Sequence, residues 1–256
     1  MSKNNEKIKI SALAISYNEV HNVKRYIESL SFADEIIFID SESTDGTASL
    51  AKSLGATVIE KKFENFSSQR NFGINLAKND WIVFFDLDEI ITKSLEDEIV
   101  KKVSNPHSIV AFFVKRNFYF MNKHIRYGGW QSDKAIRLFN KNYCTYNGNL
   151  VHEEVKADGK IGVLKNCLNH YSYKNFDNYN DKLNLYSKLQ AENLYNKKIK
   201  PNGYHFFFRP MYRFMWQYIF RLGILDGKEG FILAYIHSFS VFKRYLQLWM
   251  RYRKID

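Results

Sequence analysis

The amino-acid sequence predicts an α/β fold: a Rossmann-like, mostly parallel sheet flanked by helices, with an amphipathic helical extension at its C-terminal end. Three observations predict it. Short, continuously apolar runs alternate with amphipathic helical stretches through the first 110 residues, and strands of that kind are buried on both faces, as in a parallel sheet covered by helices. Polar clusters stand where those runs stop, and open α/β sheets bind ligands at the carboxyl ends of their strands. From Tyr204 onward the composition turns aromatic and basic.

Taken in order, Ile8–Ser16 reads as an apolar strand and Glu19–Leu30 as a helix whose Val23, Ile27 and Leu30 share one face. Glu35–Asp40 (EIIFID) is a short buried strand, Thr47–Leu54 a helix, and Gly55 its stop. Thr57–Glu60, Ser67–Ala77 and Trp81–Asp86 (WIVFFD) continue as strand, helix and strand. Ser94 opens a further helix, with Asp97 three residues on in a capping-box pattern. After Val110 the pattern changes: Val110–Tyr119, Ala135–Phe139 and Val163–His170 read as strands without helices between them. Asn175–Lys198 is a long polar helix with an apolar side formed by Tyr179, Leu183, Tyr186, Leu189 and Leu194.

At 256 residues the chain has room for one substantial core with an appended segment. The formal charge of +11 points to anionic partners, whether phosphates, nucleic acid or an acidic membrane surface. Cys144 and Cys167 have no motif spacing, which suits a reducing compartment. The polar opening MSKNNEKIKI predicts no secretory leader. The longest apolar stretch, Gly230–Phe242, contains His237 and falls short of the roughly 18 residues expected of a membrane span.

Chemistry-bearing residues gather at three strand ends: Tyr17-Asn18-Glu19, Asp40, and Asp86-Leu87-Asp88-Glu89. Two carboxylates one residue apart, on a turn leaving a sheet, are suited to a hard divalent cation such as Mg2+ or Mn2+, whose coordination a nucleotide diphosphate would complete. Such a metal neutralises charge on a departing diphosphate. Asp40 is placed to accept the imide N–H of uracil; the Asp45-Gly46-Thr47 stretch after it reads instead as the cap and turn of the next helix. His152 and His170 each offer an imidazole nitrogen to metal or diphosphate, or serve structurally. Arg137, alternating with apolar neighbours on its strand, points either into the cleft toward phosphate or into a strand-face ion pair.

The segments Ile15-Ser16-Tyr17-Asn18-Glu19, Asp40 through Thr47, and Asp86-Leu87-Asp88-Glu89, in that order and spacing, resemble family 2 glycosyltransferases of the GT-A fold. More narrowly, Ala33-Asp34-Glu35-Ile36-Ile37, Gln69-Arg70-Asn71, Arg137-Leu138-Phe139, Val151-His152-Glu153 and Leu225-Asp226-Gly227 resemble the bacterial lipopolysaccharide-core β-glucosyltransferase group. The resemblance implies a single displacement with inversion, using a nucleotide-sugar donor such as UDP-glucose and a lipid-linked saccharide acceptor. It implies metal and diphosphate roles for Asp86 and Asp88, base recognition by Asp40, nucleotide contacts by Tyr17, Asn18 and Glu19, and a basic residue near the nucleotide at Arg70. Inversion needs a general base. Glu153 is the first choice, where relatives carry a Glu-Asp pair and this chain has His152-Glu153; Asp133, near the Gly128-Gly129-Trp130 loop, is the reserve. No Gln-x-x-Arg-Trp motif follows. The expected division is a catalytic domain over residues 1–200, with a donor half (1–110) and an acceptor half (111–200), and an extension over 201–256.

In the extension, Arg209, Arg213, Gln217 and Arg221 form one polar stripe at helical spacing, and Lys243, Gln247, Arg251 and Lys254 another, with aromatic and aliphatic residues filling the rest. That composition suits helices lying in an anionic membrane interface and places the enzyme peripherally on the inner face of the cytoplasmic membrane; a hairpin packed on the catalytic domain is the alternative. A capsule or other surface polysaccharide is an alternative acceptor. A basic, aromatic single-strand-binding protein is a competing class, opposed by the strand-end carboxylates, so no nucleic-acid partner is expected. A nucleotidyltransferase is opposed by Tyr17-Asn18-Glu19 standing where a Gly-rich loop belongs.

Overall fold

The computed structural model describes residues 8–148, 154–172 and 176–255. Two compact units divide the chain: Met1–Arg116 with Lys134–His170, and Asn117–Asp133 with Tyr171–Asp256. This division differs from the expected boundary at residue 200, because the loop before Lys134 and the long polar helix belong with the C-terminal segment.

The first unit is a mixed sheet covered on both faces. Strands β1 (Ile10–Ser16), β2 (Glu35–Asp40), β3 (Thr57–Glu60) and β4 (Trp81–Phe84) alternate with helices α1 (Val20–Glu28), α2 (Thr47–Ser53) and α3 (Phe66–Leu76). They pair in parallel in the order β3-β2-β1-β4, with Leu13 opposite both Ile37 and Phe84. Beyond β4 the pattern turns antiparallel. After β5 (Glu89–Ile90) and helix α4 (Lys93–Ser104), β6 (Ile109–Phe120) is followed by β7 (Lys123–Ile125), β8 (Lys134–Asn140), β9 (Cys144–Tyr146), β10 (Val155–Ala157) and β11 (Lys160–His170). The sheet order continues β4-β8-β6-β11-β5. Strands joined without crossover helices pair antiparallel, which is why the change of pattern after Val110 marks the change of pairing.

Side-chain alternation divides the core into two layers. Ile10, Ala12 and Ala14 pack with Val23 and Tyr26 of α1, Ala51 of α2 and Leu95, Ile99 and Val103 of α4. Leu13, Ile37, Ile39 and Phe84 pack with Ile74 of α3 and with Cys144 and Tyr146 of β9. Gly73 lets α3 lie close against the sheet, since a Cβ there would meet Ile39 Cγ1 at 3.1 Å and the neighbour would have to give by a few tenths of an ångström. The cap of α4 is Thr92, whose side chain accepts from the Leu95 amide, rather than Ser94. The short strands β5, β7, β9 and β10 have too few residues to leave a periodic signal in the sequence.

The second unit is built from α5 (Phe176–Asn196), α6 (Gly203–Met215) and α7 (Gly227–Arg253) with the end of β6 and β7. Pro210 lies within α6, and a π-helical turn over Trp216–Phe220 follows. The Leu225-Asp226-Gly227 motif is a structural lock: buried Asp226 accepts from the Arg126 and Tyr127 amides at 3.0 and 2.8 Å. Gly230 sits so close to the Gly223 carbonyl that a Cβ would lie 1.9 Å from its oxygen, so no larger residue fits. Among the described residues, no helix is long and apolar enough to cross a membrane.

Candidate active site

Parallel β1, β2 and β4 open their carboxyl ends on one edge of the sheet, and the polar clusters named from the sequence meet there. The first two ends are laced together. Asn18, with a left-handed backbone (φ 54°), donates its amide to Ser43 Oγ at 2.9 Å and accepts from the Thr44 amide at 2.9 Å. The Glu19 amide donates to Thr47 Oγ1 at 2.8 Å, and the Val20 amide to Asp45 Oδ2 at 3.1 Å. Asp45 also accepts from the Thr47 amide at 3.0 Å, so it shapes the turn into α2, whose N-cap position is Gly46. Burial works against its charge, yet the Thr47 and Val20 hydrogen bonds hold its carboxyl below the usual range. Tyr17 is exposed beside this lacing.

Asp40 is 1% exposed. Its Oδ1 accepts from the Ser16 and Ser43 hydroxyls at 2.7 Å each, and its Oδ2 from the Ser43 amide at 2.8 Å. Three of roughly four acceptor positions on a carboxylate are therefore used within the protein.

The end of β4 carries a cluster of alternating charges. Asp86 Oδ1 accepts from Arg70 Nη2 at 2.8 Å, and its Oδ2 pairs with Arg137 Nη2. Arg137 reaches Glu89 Oε1 at 2.8 Å as well, and Arg116 Nη1 lies 3.3 Å from the same oxygen. Glu89 Oε2 accepts the Asp86 amide at 3.1 Å and so fixes the Asp86-Leu87-Asp88-Glu89 turn. Arg70 is held between the Phe84 and Tyr146 rings, its guanidinium 5.5 and 5.2 Å from their centres. Burial would raise the Asp86 carboxyl, but Arg137 and Arg70 outweigh it and hold it well below the usual range. Arg137 is buried, which disfavours its charge, and Asp86 and Glu89 more than restore it. The structure thus turns Arg137 into the carboxylate cluster, the ion-pair arrangement among the two that the sequence left open.

Asp88 faces a different neighbour. The antiparallel bridge between β5 and β11 sets His170 opposite Glu89, which brings His170 Nε2 to 3.4 Å from Asp88 Oδ2. Asp88 Oδ1 is buried and, among the described residues, has no hydrogen-bond partner. A buried acceptor without a donor is destabilising unless something else completes it, and a carboxylate beside an imidazole is a fitting donor pair for a divalent cation. Among the described residues no group of three such side chains is gathered, so this pair leaves coordination positions open to a ligand's oxygens.

Sequence reasoning missed three contributors. Tyr26 of α1 is fully buried and donates to the Leu13 and Phe85 carbonyls, 3.1 Å from each, tying the ends of β1 and β4 together. Burial, reinforced by Asp86 and Glu89, pushes its phenol well above the usual range. Its place on the apolar face with Val23, Ile27 and Leu30 was the available signal. Arg116 and the β5–β11 bridge left none, because both depend on pairings far apart in the chain. Of the two general-base candidates, Glu153 lies outside the described residues, as does His152. Asp133 lies in the second unit, its amide donating to the Trp130 carbonyl at 2.9 Å.

Comparison with known proteins identifies the family. The family model described as glycosyl transferase family 2 matches residues 11–154. A glycosyltransferase of Rickettsia bellii, itself uncharacterized, is 31% identical over 252 residues, 94% of this chain and 86% of that protein. A lipopolysaccharide core biosynthesis glycosyltransferase of Rhizobium meliloti, LpsC, is 27% identical over 253 residues, covering 93% of this chain and 94% of that one. Among solved structures, glucosyl-3-phosphoglycerate synthase of Mycobacterium tuberculosis, in complex with Mn2+, UDP and glucosyl-3-phosphoglycerate, aligns over 77% of this chain and 82% of its own at 17% identity and a TM-score of 0.49. With a matching family model that spans more than half the chain and carries the strand-end carboxylates within it, the protein belongs to glycosyl transferase family 2.

Proposed function

We propose that the protein transfers a hexose, glucose from UDP-glucose being the leading case, to a lipid-linked saccharide such as lipopolysaccharide core, by a metal-assisted single displacement with inversion. The observation that carries this reading is Asp88: a carboxylate with one buried, unpartnered oxygen, 3.4 Å from His170, at the carboxyl end of β4. In it Asp88 and His170 would hold a Mg2+ or Mn2+ ion together with the donor diphosphate, with Asp86, whose two oxygens are taken by Arg70 and Arg137, beside them, and the ion would supply charge neutralisation for the departing nucleotide. Arg137 and Glu89 act through Asp86, fixing the turn that presents Asp88. Arg70, stacked between two rings and bonded to Asp86, sets the charge at the diphosphate end of the site. Asp40 keeps one acceptor position for the uracil imide, and Tyr17, Asn18 and Glu19 border the nucleoside. Glu153 takes the proton of the acceptor hydroxyl as it attacks, with Asp133 in reserve. The acceptor class is supported by the match to LpsC across nearly the whole chain.

Membrane association belongs to the same proposal. The second unit exposes large apolar side chains of α6 and the turn after it, Phe207 at 75% and Phe220 at 65% among them. Arg221 stacks on Trp216 beside them, 5.6 Å from the ring centre. Rings and cations on one surface suit the headgroup boundary of an anionic bilayer, where a lipid-linked acceptor resides.

Calorimetric titration of UDP with and without Mn2+, on the native protein and on Asp88→Asn, tests the donor site. Metal-dependent binding should weaken at least tenfold in the variant, with its thermal midpoint unchanged within about 2 °C because Asp88 Oδ1 has no protein donor to lose. Equal UDP affinity in both proteins would remove Asp88 from the site.

A further inference from the structure

Helices α5, α6 and α7 of the second unit enclose a pocket of about 680 Å3, a volume typical of small-molecule sites. It shares no residue with the strand-end cluster. Arg209, Arg213 and Arg244 line it together with His237, and no carboxylate does. Four arginines elsewhere are paired with carboxylates: Arg70, Arg116 and Arg137 with Asp86 and Glu89, and Arg251 with Glu192 at 3.2 Å. Among the described residues, none of the three pocket arginines forms an ion pair.

The contacts they make carry no negative charge. Arg209 lies over the Tyr245 ring, 5.9 Å from its centre, and Arg213 Nη2 stands 3.3 Å from His237 Nδ1. Arg244 Nε is buried and donates to nothing among the described residues. His237 is engaged by the Tyr179 hydroxyl and by Gln217 Oε1 at 2.8 Å. Burial, with Arg213 beside it, pushes its imidazole down to about 3, so the ring is neutral at physiological pH. Burial also lowers the proton affinity of Arg213 and Arg244, and for Arg244 the nearby Arg209 and Arg213 lower it further. Guanidinium groups stay protonated regardless, so the pocket keeps three mutually repelling cations, Arg209 and Arg213 exposed to solvent and Arg244 with a buried Nε that has no acceptor among the described residues. That arrangement is unfavourable alone and favourable around an oxyanion, whose oxygens match the guanidinium fork. Tyr204 and Tyr212, 56% and 62% exposed, add ring surface to the lining.

We propose that this pocket is a second anion site that takes a phosphoryl group, borne by a membrane-lipid headgroup or by a soluble sugar phosphate. The assignment stands independently of the donor-site reading, and the test keeps the two apart. The full-length protein in EDTA is titrated with inorganic phosphate and with glucose 6-phosphate while its thermal midpoint is followed. Flotation with vesicles of phosphatidylcholine, with and without phosphatidylglycerol, is measured in parallel. The native protein, Asp88→Asn and the double variant Arg213→Gln/Arg244→Gln are compared. The expected result is stabilisation by a phosphoryl ligand, or phosphatidylglycerol-dependent flotation, that survives Asp88→Asn and weakens on the order of tenfold or more in the double variant. Stabilisation by glucose 6-phosphate at lower concentration than inorganic phosphate points to the soluble source; a response to phosphatidylglycerol vesicles alone points to the lipid. Unliganded, the double variant should melt close to the native midpoint, since it loses mutual repulsion together with the Arg213 contact to His237 and the Arg244 bond to the Tyr245 side chain. Phosphate stabilisation lost in Asp88→Asn but retained in the double variant would overturn the proposal by placing the anion at the donor site. So would the absence of any phosphoryl response, or responses to both the soluble ligands and the vesicles that the double variant leaves unchanged.

Discussion

Replacing Arg137 with glutamine removes the centre of the charge cluster on which the Asp86-Leu87-Asp88 turn depends. Arg137 is 4% exposed, and Glu89, one of its two carboxylate partners, is 0% exposed. Removing one member of a buried ion pair costs about 3–5 kcal/mol, because the remaining charge is left without compensation. Here each carboxylate keeps another arginine, Arg70 at 2.8 Å from Asp86 and Arg116 at 3.3 Å from Glu89, so the lower end of that range, about 3 kcal/mol, is expected. Such a loss shifts the folding equilibrium by roughly two orders of magnitude. Urea unfolding followed by far-UV circular dichroism measures it, and Arg137→Lys should recover only part, since an ammonium lacks the fork that reaches both carboxylates. The pH dependence follows from the Asp86 carboxyl, which is held well below the usual range mainly by Arg137 and Arg70 against burial. A depressed carboxyl stabilises the fold fully above its unfolded value of about 3.9 and loses that contribution as pH falls toward the folded value. With Arg137 gone the depression is smaller, so the gap between native and variant is full at pH 7 and narrows only below about pH 4. A loss under about 1 kcal/mol at pH 7 would refute the reasoning, because it would mean that the cluster is solvated and Arg137 neutralises nothing.

Three further outcomes are expected. Glu153→Gln should bind UDP with native affinity by calorimetry and lose at least a hundredfold in transfer rate; native turnover would move the base to Asp133. Tyr26→Phe should cost about 1–3 kcal/mol in urea unfolding, because the buried phenol proton shared by the two strand-end carbonyls is lost, and a neutral result would show those carbonyls reach water. Phe207→Ser with Phe220→Ser should cut flotation with anionic vesicles severalfold without lowering the thermal midpoint, both side chains being largely exposed already; unchanged flotation would remove this surface from the membrane contact.

Much of the first unit was legible in the sequence because its signals are local. EIIFID and WIVFFD are apolar on both faces, so each has to lie inside a covered sheet, and Glu35–Asp40 and Thr57–Glu60 emerge with the expected bounds. Asp40 and Asp86 terminate apolar runs, and parallel pairing then places them on the same edge without further information. Asp45-Gly46-Thr47 behaves as turn residues: the Asp45 carboxylate accepts from the Thr47 amide and hydroxyl, and the helix is entered through Gly46 with φ 93°.

The choice between alternatives for Arg137 and His170, and the pairing of Arg70, were not legible, since each depends on a partner elsewhere along the chain. The partners of Arg137 lie 48 and 51 residues away, and a sequence pattern carries no charge-to-charge distance. The same holds for the antiparallel β5–β11 bridge, two residues long on one side, which alone brings His170 beside Asp88. In the C-terminal segment the stripe Arg209, Arg213, Gln217 looked uniform by helical spacing. Packing against α7 buries Gln217 to 1% exposure and turns Arg213 toward His237. By itself, then, the sequence determined the covered parallel half-sheet and the edge on which the carboxylates gather, because burial pattern and chain-end polarity are properties of short segments. The tertiary structure decided which of those charges are neutralised inside the protein and which are left facing a ligand, because pairing energy depends on distances that only folding sets.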